Sequence, residues 1–223
     1  MTGFRPRGRR SLYTAAATAL TTSALVLLAT AITGPQPPPA PPATARSAPA
    51  APAGEPKPAV PFSPPLPRSE PTEIRIPKIG LRTQIDQVTR ATDGSVGLPA
   101  DPDHAGWYTG SVTPGEIGNA IIVGHLDSRS GPAAFYRLGA LRKGSHIMVT
   151  RRDGSTARFT VTRMEVWSKD GFPSEHVYGP TTIPALTLIT CADWDKERNT
   201  YRSNLVMTAV PATPSSTRPV LRG

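Results

Sequence analysis

Cysteine is almost missing from this sequence: Cys191 is the single one in 223 residues. A disulfide within the chain is therefore excluded, and stability must come from a packed core. Histidine is nearly as scarce, with four residues. Cys and His never recur at metal-ligand spacing, and the Asp residues do not form a calcium loop, so no metal and no other cofactor is expected. Helical periodicity is weak everywhere except a short turn at Pro132 to Leu138, which leaves strands as the material of the fold. The formal charge of +9 is not a nucleic-acid footprint either. From Glu73 onward there are 18 Lys and Arg against 14 Asp and Glu, and the first 72 positions hold 7 against 2. The excess near the amino terminus comes from Arg5, Arg7, Arg9 and Arg10, a targeting charge.

What is present is divided unevenly. The basic residues 1–10 precede an uncharged run at 11–33, SLYTAAATALTTSALVLLATAIT, long enough at about 20 residues to cross a bilayer as a helix. A positive flank ahead of it places the amino terminus in the cytoplasm and everything downstream outside the cell membrane. Ala29-Thr30-Ala31 resembles a small-residue cleavage site, so a removed signal peptide competes with the expected single-pass anchor. Fifteen of the 27 prolines lie between Pro35 and Pro71. Residues 34–72 thus read as a Pro/Ala-rich disordered linker in extended polyproline conformations. Residues 73–212 are the part able to close a core, and 213–223 read as a flexible tail.

The folded part reads as all-β. Glu73-Ile74-Arg75-Ile76-Pro77 alternates at period two and turns at Lys78-Ile79-Gly80 into Leu81-Arg82-Thr83-Gln84-Ile85. Further strands are expected at 119–123, 146–150 and 157–162, the last two joined by Arg152-Asp153-Gly154-Ser155, a tight-turn signal. Two more apolar runs flank the cysteine, Leu186 to Thr190 and Asn204 to Val210, separated by a polar turn at Asp193 to Thr200. Some seven short strands in one domain point to a closed or nearly closed barrel, which removes exposed edges.

Cys191 is the candidate nucleophile. If the two flanking strands lie side by side, the thiol at the end of the first meets the start of the second, where Arg202 sits. A cation there suits acyl transfer, since it stabilises both a thiolate and the oxyanion made when the thiol attacks a carbonyl. The bland alternative is that a cysteine ending an apolar strand is a small buried hydrophobe. His125, which follows Ala120 to Val123 through Gly124, is the favoured partner at a barrel rim. His104, His146 and His176 stay open.

Five motifs carry a resemblance. TLITC at 187 to 191, IIVGHLDS at 121 to 128, RIPKIGL at 75 to 81, AGWY at 105 to 108 and YRSNLVMTA at 201 to 209 together resemble a sortase, most nearly the actinobacterial class F group. The resemblance spans about residues 72 to 210. It implies a closed eight-stranded sortase-type β-barrel with short helices in its loops, and catalytic positions at His125, Cys191 and Arg202. It also implies a membrane-anchored cysteine transpeptidase that cleaves LPxTG-like sorting signals of secreted proteins and passes the acyl group to a peptidoglycan precursor or another amine acceptor. Two features depart from the pattern. Class F sequences have two glycines after the cysteine where Ala192 and Asp193 stand here, and Arg198 lies four residues from Arg202, so the arginine assignment rests on the Tyr-Arg-x-Asn context. Two rival classes are a related thiol hydrolase and a non-enzymatic extracellular β module, the latter giving no reason for an exported free thiol.

Overall fold

Short β-branched and apolar runs, separated by turns bearing Gly, Pro and Asp, form ten strands in a computed structural model that describes residues 37–46, 64–92 and 94–213. In chain order they are β1 (Pro71–Ile76), β2 (Leu81–Val88), β3 (Ala105–Tyr108), β4 (Gly118–Gly124), β5 (Asp127–Ser128), β6 (Gly131–Pro132), β7 (His146–Arg151), β8 (Thr156–Ser168), β9 (Pro184–Asp195) and β10 (Thr200–Pro211). A five-residue helix, α1 (Ser174–Tyr178), lies between β8 and β9. Eight strands close into a barrel in the order β1-β2-β3-β4-β9-β10-β8-β7, while β5 and β6 make a separate two-stranded ladder. The expected closed eight-stranded barrel is what the chain adopts. Its sheet is mixed: β2 with β3 and β4 with β9 are parallel, and the other contacts are antiparallel. A parallel neighbour needs a long return path, and residues 125–183 provide it between β4 and β9.

Alternation along the strands fills the barrel. Ile74, Ile76, Trp107, Ile122, Phe159 and Leu188 are all at most 1% exposed and belong to one cluster. Each such aliphatic or aromatic side chain contributes roughly 1.5–3 kcal/mol by leaving water. The Trp107 indole stays satisfied by donating to the Val112 carbonyl at 3.1 Å. A second cluster forms on the outer face of β4, β9 and β10 from Ile121, Val123, Ile189 and Val206, joined by Val88 and Val177. Because both faces are covered, every residue of β4 is buried. This is why its sequence reads as a continuous apolar run.

The Asp-Gly turn forms as expected: Gly154 takes φ 81°, and Asp153 Oδ1 accepts the Ser155 amide at 2.9 Å. Other details differ from the sequence reading. The short turn expected at Pro132 to Leu138 forms as consecutive turns over 133–138 that run into a tight helical turn at Leu138–Ala140; tight helical turns at Ala43–Arg46 and Pro77–Ile79 and the helix α1 were not expected at those positions. The polar turn expected at 193–200 narrows to residues 196–199, because β9 runs on to Asp195 and β10 begins at Thr200.

Part of the stretch read as linker packs on the barrel. Ala45, in a tight turn at Ala43–Arg46, is 2% exposed and joins the core cluster beside β8. Proline-rich composition disfavours a core of its own, but small alanines fit a surface made by others. Nearer the barrel, the Leu66 amide donates to Gly115 and the Ser69 amide to Thr113 Oγ1. The guanidinium of Arg151, with no exposed side-chain surface, donates to the carbonyls of Pro67 and Ser69 and to Ser155 Oγ. The basic terminus 1–10 and the apolar run 11–33 lie outside the described residues, as does most of the tail. Among the described residues no helix is long and apolar enough to cross a membrane.

Candidate active site

The parallel register of β4 and β9 sets Ile122 opposite Leu188 and Val123 opposite Ile189. Two residues further on, His125 has left the end of β4, while Cys191 continues in β9 at the same level. The Thr190 hydroxyl donates to the Gly124 carbonyl at 2.9 Å and ties the two chains at that level. On the other flank, antiparallel β10 sets Asn204 opposite Cys191 and Ser203 opposite Ala192. Ser203 is buried toward the barrel interior, so the alternate residues Asn204 and Arg202 face outward, on the side of Cys191. By parity Cys191 of β9 and Arg202 of β10 share the outer face, and His125 follows the end of β4 at the same end of the barrel. The other histidines have separate engagements. His146 opens β7, two strands from β10, His176 lies edge-on to Trp167 at 6.1 Å, and His104 Nδ1 bonds Asp86 at 3.0 Å.

His125 Nε2 lies 3.0 Å from the Pro99 carbonyl oxygen. A carbonyl only accepts, so Nε2 carries the hydrogen and Nδ1 is the nitrogen left for proton transfer. Gly124 sets the ring's position from below. A Cβ on Gly124 would lie 2.7 Å from the Phe135 ring, and the Phe135 amide donates to the His125 carbonyl at 2.9 Å.

Burial pushes the Cys191 thiol above its ordinary range, Lys169 opposes that shift with its charge, and Asp127 adds to it. Lys169 follows β8, and its amide donates to the Arg202 carbonyl at 2.8 Å. The Arg202 side chain is 59% exposed, with Nε 3.9 Å from Asp195. Arg198 lies in the hairpin turn, where its amide and that of Glu197 donate to Asp195 Oδ1. Asp193, one of the two departures from Gly-Gly, takes φ 57°. That left-handed conformation is glycine's by default and aspartate's at modest cost. The loop therefore keeps a glycine-like backbone without the glycine.

An apolar cluster lies on the outer sheet on the side of the thiol: Ile121, Val123, Ile189 and Val206 are buried in it, and Val96, Phe172 and Tyr178 pack against it from the neighbouring loops. A buried relay ties α1 to this sheet: Thr187 Oγ1 donates to Asn119 Oδ1, and Asn119 Nδ2 donates to the Val177 carbonyl of α1, both at 2.9 Å. A thiol with an imidazole and a guanidinium in its neighbourhood suits nucleophilic attack on a carbonyl. Sequence reasoning did not single out Asn119, Lys169, the Pro99 carbonyl, or the pair Asp127 and Tyr201, in which the phenol donates to the carboxylate. Asp127 and Tyr201 sit inside the quoted motifs IIVGHLDS and YRSNLVMTA, which was the available signal.

A family model described as "Sortase domain" matches residues 74–212. A comparison with curated proteins finds no match. Among solved structures, sortase A from Corynebacterium diphtheriae is similar at 22% identity and a TM-score of 0.51, over 69% of this chain and 65% of that one. Sortase C1 from Streptococcus agalactiae is similar at 20% identity and a TM-score of 0.50, over 63% of this chain and 66% of that one. The chain spans just under two thirds of the length of each. These likenesses concern the barrel.

Proposed function

Because this chain belongs to the sortase family, a family of cysteine transpeptidases, we propose that Cys191, His125 and Arg202 carry out acyl transfer on a sorting signal at the outer face of the cell membrane. The reading is supported chiefly by the register of β4, β9 and β10, which sets the end of β4 beside Cys191 and sets Cys191 one outward position from Arg202, next to the apolar cluster of the outer sheet. We assign the chain to class F on the motifs around His125, Cys191 and Arg202, and take residues 11–33 as its membrane anchor.

An LPxTG-like peptide lies against the outer sheet with its Leu-Pro portion toward the apolar cluster and its threonine carbonyl at Cys191. The thiolate attacks that carbonyl, and Arg202 stabilises the oxyanion of the tetrahedral intermediate. His125, as imidazolium, gives the Nδ1 proton to the departing glycine amine, and a thioester remains on Cys191. An amine of the cell wall, the precursor of peptidoglycan being the proposed source, then displaces sulfur. Incubation with a fluorogenic LPxTG peptide, with and without an amine, tests this. Wild type should release the glycine-side fragment and join the acyl part to the amine, whereas Cys191→Ala should do neither while keeping its thermal transition. Release unchanged by added amine would make the protein a hydrolase, and turnover in Cys191→Ala would remove the mechanism.

A further inference from the structure

β4 and β9 part company just above the thiol. Their pairing runs to Val123 and Ile189, and Thr190 Oγ1 makes the last tie to Gly124. Beyond it, the chain carrying His125 turns into β5 while β9 and β10 continue as a hairpin. One side-chain bridge spans that gap: the Tyr201 hydroxyl donates to Asp127 Oδ2. Tyr201 immediately precedes Arg202, and Asp127 lies two residues after His125. Tyr201 is braced from the side by Trp194, its partner across the hairpin, with ring centroids 4.9 Å apart at 61°. The bridge therefore joins the strand end that holds the acid–base group to the hairpin that holds the arginine, next to the sulfur. It engages one carboxylate oxygen, Oδ2, of an exposed residue.

Lys169 and Asp127 both act on the thiol by their charge. The carboxylate of Asp195 is engaged by the turn amides of Glu197 and Arg198 and lies beside Arg202. Asp193 and Asp195 are half-buried, whereas Asp127 is exposed. An amine acceptor arrives in water as an ammonium ion, which an exposed carboxylate beside the thiol attracts. We propose that Asp127, aimed by Tyr201, is the acceptor-recognition residue, the carboxylate that receives the ammonium group of the incoming nucleophile beside the Cys191 thioester. This rests on the transpeptidase reading above and concerns its second half alone.

The step balances as follows. The ammonium docks on Asp127 Oδ1 and passes one proton to Nδ1 of His125, which is neutral after acylation. The free amine nitrogen bonds to the thioester carbonyl carbon, the C–S bond breaks, and its electron pair returns to Cys191 Sγ. A second proton leaves the new amide nitrogen to water and the third hydrogen stays on it, restoring thiolate and imidazolium.

The test compares two nucleophiles on the acyl-enzyme formed from an LPxTG peptide at neutral pH: n-propylamine, which is an ammonium ion there, and hydroxylamine, which is uncharged. For Asp127→Asn, the propylamine concentration giving half-maximal transfer should rise about tenfold, as expected for losing a charge-assisted contact, and the hydroxylamine value by less than about twofold. Asp127→Glu should recover part of the propylamine loss. Equal rises for both nucleophiles would show that the bridge merely holds the site together, and no rise for either would leave Asp127 without a role; each overturns the proposal. Failure of wild type to form any acyl group on Cys191 would instead remove the transpeptidase reading, and this one with it.

Discussion

Arg151→Met keeps most of a buried side chain's volume and removes its guanidinium. Wild-type Arg151 donates to the Pro67 and Ser69 carbonyls and to Ser155 Oγ, and lies 3.7 Å from Asp153, with no exposed side-chain surface. A hydrogen bond to a charged group contributes about 1.5–3 kcal/mol, and the acceptors left behind are a further penalty, so the loss should be about 3–5 kcal/mol after allowing for non-additivity. In a domain of this size 1 kcal/mol moves Tm by about 3 °C, which puts the expected fall at about 10–15 °C. The effect should be confined to stability. Arg151 adjoins the start of β8, and the site lies at the other end of that strand, where Ser168 pairs with Ser203. Differential scanning calorimetry gives Tm, and kcat/KM on an LPxTG peptide, measured well below the transition, should stay within about twofold of wild type, as for a substitution far from the reacting groups. A fall under about 3 °C would refute the claim that this guanidinium fastens residues 67–69 to the barrel.

Three other outcomes are expected. Arg202→Ala should lower kcat/KM by about 10²–10³, the usual cost of one oxyanion donor, with little rescue by Lys, while Arg198→Ala should cost less than about threefold; the reverse order would give the oxyanion to Arg198. Because Cys191 is the sole thiol, its rate of alkylation against pH reports it alone, and the midpoint should lie above the ordinary thiol range; Lys169→Ala should raise it further and Asp127→Asn lower it, since the two charges act with opposite sign. Gly124→Ala should lower both Tm and kcat/KM, because the added methyl meets the Phe135 ring and shifts the strand end that carries His125; a variant with wild-type activity would show that Phe135 yields freely.

The barrel was legible because burial wrote it into the composition of the strands. β4, covered on both faces, reads as an unbroken apolar run, and the Asp-Gly turn between β7 and β8 has its conformation printed in its residue types. β3 was harder: four residues, one of them glycine, carry too little alternation, and their parallel pairing with β2 leaves no hairpin signal. α1 is five residues long and is held by a relay from Asn119 and Thr187, so its own sequence has no periodicity to show. At the site, Cys191, His125 and Arg202 were reachable from motif and residue chemistry. Asp127 and Tyr201 are 74 residues apart and meet only through the fold. Arg151 falls between the expected strand 146–150 and the turn at 152–155, and nothing local marks it as an arginine buried under residues 67–69.

β9 serves two masters by parity. Leu186 and Leu188 belong to the barrel filling, while Ile189 belongs to the cluster on the outer face, on the parity of Cys191. The outer cluster and the barrel filling are therefore written in alternate codons of one strand, and can drift separately: a change at Ile189 or at Val206 alters the outer cluster while the barrel filling stands. Length is another matter. One residue inserted between Pro184 and Leu186 would rotate the thiol to the interior and bring a core leucine to the outer face, so this strand keeps its pattern only when it lengthens or shortens in steps of two.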